Sequence, residues 1–206
     1  MRTTPAFDGV QPSRNWPLGL WWVLATAAGI GIGFGGNLAL NYLFHLLSRP
    51  AQAVYVDGMV VQIAFLLCVP LFQWLLLRRR IPRSGYWFLA TYAGLAASLV
   101  LIDIVGPALS SLNVPGGPSR VVTGLCLGLA QWPVLRRHIR MPGLWMVATV
   151  LGWASAYVAG AILDPAGIAL RTIDVLMLFR DGAIIGIWTG LALVLLWKRP
   201  KEQATL

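Results

Sequence analysis

The chain has 206 residues, of which 58% are hydrophobic and 11% charged, with a mean hydropathy of +0.73 and a formal net charge of +9. A soluble domain carries about 25% charged residues, so this composition excludes an ordinary soluble enzyme, a disordered chain and a secreted disulfide scaffold. What remains is an all-α polytopic membrane protein, and at about 20 residues per span six transmembrane helices use nearly the whole length.

Residues 1–17 read as a polar cytoplasmic tail. No charge then appears between Asn15 and Ser48, a run too long for a signal peptide, which predicts a retained first span over 18–46. Further spans are expected at 58–78, 86–106, 120–136, 143–163 and 176–197. Together they make a single transmembrane domain over 18–198, followed by a second tail at 199–206. The fourth span has only Val121 to Leu135 between Arg120 and Arg136. It needs snorkelling arginines or local thinning to cross about 30 Å of lipid. Cys68 and Cys126 both sit inside apolar runs, which argues against a disulfide framework.

Charge sets the orientation. Arg2, Arg14, Arg78, Arg79, Arg80, Arg83, Arg136, Arg137, Arg140, Lys198, Arg199 and Lys201 fall on one face, and Arg49, Arg120, Arg171 and Arg180 on the other. The positive-inside rule then predicts an N-in/C-in protein. Because the basic residues follow apolar segments in short runs, the expected partners are the lipid bilayer and other membrane proteins, with no nucleic acid.

Two sequence patterns recur, and internal repetition is a strong organising signal. W-x-[LV]-A-T-x-x-G occurs from Trp22 to Gly29, from Trp87 to Gly94 and from Trp145 to Gly152. L-C-x-x-x-x-Q-W-x-x-L-R-R occurs from Leu67 to Arg79 and from Leu125 to Arg137. The last helix is read as a degenerate copy of the second pattern, with Gly186 and Gly190 echoing Gly124 and Gly128 and with Leu193-Val194 in place of Gln-Trp. Three pseudo-repeated two-helix units follow if the last helix pairs with the first, about an axis along the membrane normal. The Q-W-x-x-L-R hairpin in tandem resembles uncharacterised bacterial multi-pass membrane proteins, over about residues 60–160. The resemblance implies a bacterial plasma (inner) membrane and brings no activity.

The repeated residues have physical roles. Trp74 and Arg78, like Trp132 and Arg136, are i,i+4 and share a helix face, so interfacial anchoring by cation–π contact is expected. Arg78, Arg79, Arg136 and Arg137 are the candidate lipid-headgroup ligands. Gln73 and Gln131 lie at the depth of Thr91 and Thr149, and a Gln–Thr hydrogen bond across each hairpin is the expected glue. Gln62 shares nearly the same helical face as Gln73, and a polar path or substrate-binding amide formed by Gln62, Gln73 and Gln131 is the alternative.

Asn37, Asn41 and His45 form an i,i+4,i+8 stripe, read as interhelical hydrogen bonding or a polar path. A pigment ligand at His45 is the alternative. Asp103, within an apolar run, is the best single titratable candidate for a coupling site, although ion pairing with rim arginines is the default for Asp103, Asp164 and Arg180-Asp181. Gly31 to Gly36 matches G-x-G-x-x-G but lies inside a charge-free span without a preceding strand, so a dinucleotide site is not indicated. The sole glutamate is Glu202, and no metalloprotease or nucleophile-elbow motif occurs. The expectation is a protein with no catalytic centre, metal or cofactor. It is either a scaffold or accessory subunit, or, as the alternative, a small transporter or channel; an intramembrane enzyme is a second alternative. Direct antiparallel contact between helices 18–46 and 176–197 is predicted, with Gly186 or Gly190 against the Gly29–Gly36 segment.

Overall fold

The computed structural model describes residues 16–47, 67–110, 117–163 and 171–197, and the described chain is helical apart from its turns. The helices are α1 (Trp16–Leu47), α2 (Leu67–Leu77), α3 (Tyr86–Ser110), α4 (Gly117–Leu135), α5 (Pro142–Leu163) and α6 (Arg171–Leu196). Four of them are long and apolar enough to cross a membrane, through Trp16–Gly33, Tyr86–Ala108, Pro142–Leu163 and Leu176–Leu196. Lipid offers backbone groups no hydrogen bonds, so runs of this composition satisfy themselves internally as helices.

The starts of the helices follow local chemistry. Pro142 opens α5, the position where a missing N–H costs nothing. The turn before α3 holds Arg83 at φ 58°, a left-handed conformation that side-chain-bearing residues adopt at a cost of about 1–2 kcal/mol. The fourth helix begins at Gly117 rather than at Arg120 and has 19 residues, about 28 Å at 1.5 Å per residue. Arg120 therefore sits inside the helix, with its guanidinium 5.6 Å from the Trp153 ring centre, and does not mark the helix end.

The helices close into a circle. A Cβ built on Gly29 of α1 would meet the Val69 Cα of α2 at 2.8 Å, and Trp74 of α2 packs on Phe88 of α3. Gly94 of α3 similarly abuts the Leu127 Cα of α4 at 2.9 Å, and Gly152 of α5 abuts the Ile185 Cα of α6 at 3.1 Å. Between α4 and α5, Gly124 and Gly128 meet the Cα atoms of Val150 and Met146, each at 2.9 Å. Between α6 and α1, a Cβ on Gly182 would meet the Ala27 Cα at 2.7 Å and one on Gly186 the Val23 Cα at 2.8 Å. Rising numbers on one helix against falling numbers on the other make α1 and α6 antiparallel.

That contact corrects two expectations of register. Gly186 and Gly190 lie against Val23 and Gly19, not against the Gly29–Gly36 segment. Gly182 and Gly186, rather than Gly186 and Gly190, make the contacts on α1 that Gly124 and Gly128 make on α5. The second error is one helical turn, which keeps a residue on the same face and moves its level; the first is at least six residues, since Gly186 faces Val23 rather than Gly29. With the register so placed, equivalent residues of α2, α4 and α6 lie 58 apart, and their partners on α1, α3 and α5 lie 65 and then 58 apart. Val69, Leu127 and Ile185 face the glycines of α1, α3 and α5; Leu77, Leu135 and Leu193 are all fully buried.

Candidate functional site

Three tryptophans meet where the helices converge. Trp22, Trp87 and Trp145 are 0%, 0% and 1% exposed. Their rings form a closed triangle of edge-to-face contacts with centroids 5.7, 6.0 and 6.0 Å apart. Such pairs contribute about 0.5–1.5 kcal/mol each beyond area burial. Leu77, Leu135, Leu193, Ile81 and Ile139 pack on the triangle and fill the axis toward the basic end.

One turn away from that end lies a buried polar layer of Thr26, Gln73, Thr91, Gln131, Thr149 and Thr189. The indole N–H of Trp87 donates to Gln73 Oε1 (3.1 Å), and Gln73 Nε2 donates to Thr26 Oγ1 (3.1 Å). In the same way Trp145 donates to Gln131 Oε1 (3.2 Å), and Gln131 Nε2 to Thr91 Oγ1 (3.1 Å). At the third edge the Trp22 indole donates to Thr189 Oγ1 (2.9 Å). Thr26, Thr91, Thr149 and Thr189 each return their own hydroxyl hydrogen to the backbone carbonyl four residues earlier.

Both glutamines are therefore glue, but not to the expected threonines. Gln73 bonds Thr26 and not Thr91; Gln131 bonds Thr91 and not Thr149. The tryptophan of each glutamine's own hairpin occupies the amide oxygen, so the amide nitrogen turns to the helix on the other side. Thr189 is a member of this layer that the Gln-Trp pattern does not name. The signal was present, because Gln73, Gln131 and Thr189 share the 58-residue interval that Leu77, Leu135 and Leu193 obey.

A further turn along the axis, Ile30, Leu95, Leu127, Trp153, Ala156 and Ile185 form a second apolar cluster. Between the two clusters is a cavity of about 40 Å³ lined by the six polar residues and, among others, Trp145 and Trp153. Apolar clusters thus flank the polar layer on both sides, and Ile30, Leu95, Leu127, Trp153 and Ile185 of the second form walls of the cavity.

Around the rim, the basic-end arginines behave as anticipated. Arg78 lies 5.4 Å from the Trp74 ring centre and Arg136 lies 6.0 Å from that of Trp132. Arg78, Arg79, Arg136 and Arg137 are exposed. At the corresponding places on α6 stand Gly190 and Val194, both packed against Gly19 of α1. Ile139 and Trp197 form an antiparallel bridge, and the Arg140 N–H donates to Leu196 O at 2.7 Å. The end of α6 is thereby tied to the turn before α5.

Toward the opposite end, Arg180 pairs with its chain neighbour Asp181 at 2.6 Å. Asp103 is exposed on α3, outside the axial layers, and no ion pair joins it to another described residue. Asn37, Asn41 and His45 fall on α1, but their side chains lie outside the described set, as do Gln62 and Asp164 entirely. Gly31 to Gly36 is helical throughout, without the strand–turn–helix a dinucleotide site needs. Among the described residues no group of three or more His, Cys, Asp or Glu side chains is placed to hold a metal ion. Compared with protein-family models, curated proteins and solved structures, the chain matches none of them.

Proposed function

We propose that the protein is a non-enzymatic scaffold or accessory subunit of a bacterial plasma membrane, crossing it six times with both termini in the cytoplasm. In this reading three two-helix units surround an axis along the membrane normal. The recurrence of equivalent contact residues at 58-residue intervals along α2, α4 and α6 supports it. The distribution of Lys and Arg supports the orientation. Its partners are lipid and other membrane proteins, and Arg78, Arg79, Arg136 and Arg137 are the residues that meet anionic headgroups.

One observation carries the choice of scaffold over conduit. On the basic side of the polar layer the axis is filled by three fully buried indoles and three fully buried leucines, and the glutamine and threonine side chains that would line a path instead bond one another. A buried polar layer between apolar ones fixes helix register, the role a single buried Asn plays in coiled coils. Reconstitution into proteoliposomes tests the reading, with efflux of potassium, glycerol and urea measured against protein-free vesicles. The expected outcome is no difference. Saturable flux of any of these solutes would replace the scaffold reading by that of a small transporter, for which the polar-lined cavity is the favouring feature.

A further inference from the structure

The polar layer is unequal at one edge. At two edges a glutamine accepts from an indole through Oε1 and donates to a threonine through Nε2, spanning from one helix to the next but one. At the third, Thr189 takes the accepting half of that role from Trp22. It cannot take the donating half. A hydroxyl has one hydrogen, and that of Thr189 goes to Ile185 O at 2.7 Å. Thr149, the threonine left facing this edge, likewise commits its hydrogen to Trp145 O at 2.8 Å. Both hydroxyls present only lone pairs to the space between them, and both line the central cavity.

Whatever binds there must donate twice, be small, and be neutral. The lining contains no carboxylate to offset a cation, and an unpaired charge in an apolar surround is expensive. A water requires about 10–15 Å³ of such volume and two to four polar partners, and the cavity measures about 40 Å³. We infer that the cavity is a binding site for two or three waters, one of which bridges Thr149 and Thr189 in the place that a glutamine amide nitrogen holds at the other two edges. This water completes the polar ring. The inference goes beyond the scaffold reading and does not depend on the outcome of the flux measurement.

X-ray hydroxyl-radical footprinting of the full-length protein in nanodiscs tests it, since radicals formed from a bound water oxidise the side chains that touch it. Trp22, Trp87 and Trp145 are equally inaccessible to bulk solvent, but of the three only Trp145 lines the cavity. Trp145 is expected to be oxidised several times faster than the other two. Thr189→Gln places an amide in the bridging position, so Trp145 should fall to the rate of Trp22 and Trp87. Thr149→Val, which removes one acceptor with little change of shape, should also slow it and serves if the glutamine variant does not fold. Equal rates for the three tryptophans in the native protein would overturn the inference, and so would a Trp145 rate unchanged in both variants. A Trp145 rate that changes when sodium chloride is replaced by ammonium chloride would overturn water in favour of a bound cation.

Discussion

Gln131 illustrates how one side chain joins three helices. Its Oε1 accepts from Trp145 on α5 and its Nε2 donates to Thr91 on α3, while its own backbone belongs to α4. Gln131→Leu keeps the bulk and removes both bonds, leaving the indole N–H of a 1%-exposed residue without its partner. Burying an unmatched donor costs about 1–3 kcal/mol, and side-chain hydrogen bonds between membrane helices average about 0.6 kcal/mol. We expect a loss of about 1–2 kcal/mol in reversible unfolding in mixed micelles. Leu129→Ile, at a 47%-exposed position on the same helix, should stay within about 0.5 kcal/mol. The Trp, Thr and Gln positions were legible in the sequence as recurring patterns. Their pairing was not, because sequence proximity favours the covalent hairpin partner, whereas in a closed circle each helix has a neighbour on both sides. The indole claimed the amide oxygen, and the nitrogen was left to face the other neighbour.

At the scale of the helix, small residues decide the spacing. Lipid provides no hydrophobic force between helices, so close backbone approach is what glycine contributes. Gly182→Ala would place a methyl 2.7 Å from the Ala27 Cα and 2.9 Å from Thr26 O. Both are backbone atoms, so α1 and α6 must separate. A loss of about 1–3 kcal/mol, the usual cost of overpacking, is expected in the same unfolding assay. Gly106→Ala on α3 meets nothing within 4 Å and should leave stability unchanged or slightly raised. Sequence spacing identified the glycine ridge of α6 but matched it to the repeated pattern one turn too late, and placed its partners on α1 six or more residues too far along. A shift of four residues preserves the helix face, so face periodicity alone cannot set the level; the tryptophan and threonine contacts of the third edge set it.

For the whole molecule, the all-α fold and the four long apolar helices follow from composition, and the contact of the first helix with the last follows from pattern. The cavity had no such signature, since it arises where six side chains of different helices fall short of the axis. The polar layer depends on α6 closing the circle onto α1, because only then do Trp22 and Thr189 complete it. Oxidative crosslinking in native membranes tests this most directly, using a Gly19→Cys/Val194→Cys pair in a background with Cys68→Ala and Cys126→Ala. A Cβ on Gly19 falls 4.0 Å from the Val194 Cβ, within the Cβ–Cβ range of a disulfide, whereas Leu20 is 62% exposed and faces away from the bundle. Efficient crosslinking of the Gly19 pair, with none for Leu20→Cys/Val194→Cys, is the predicted result. No crosslink for the Gly19 pair, or equal crosslinking of both, would contradict the closed circle.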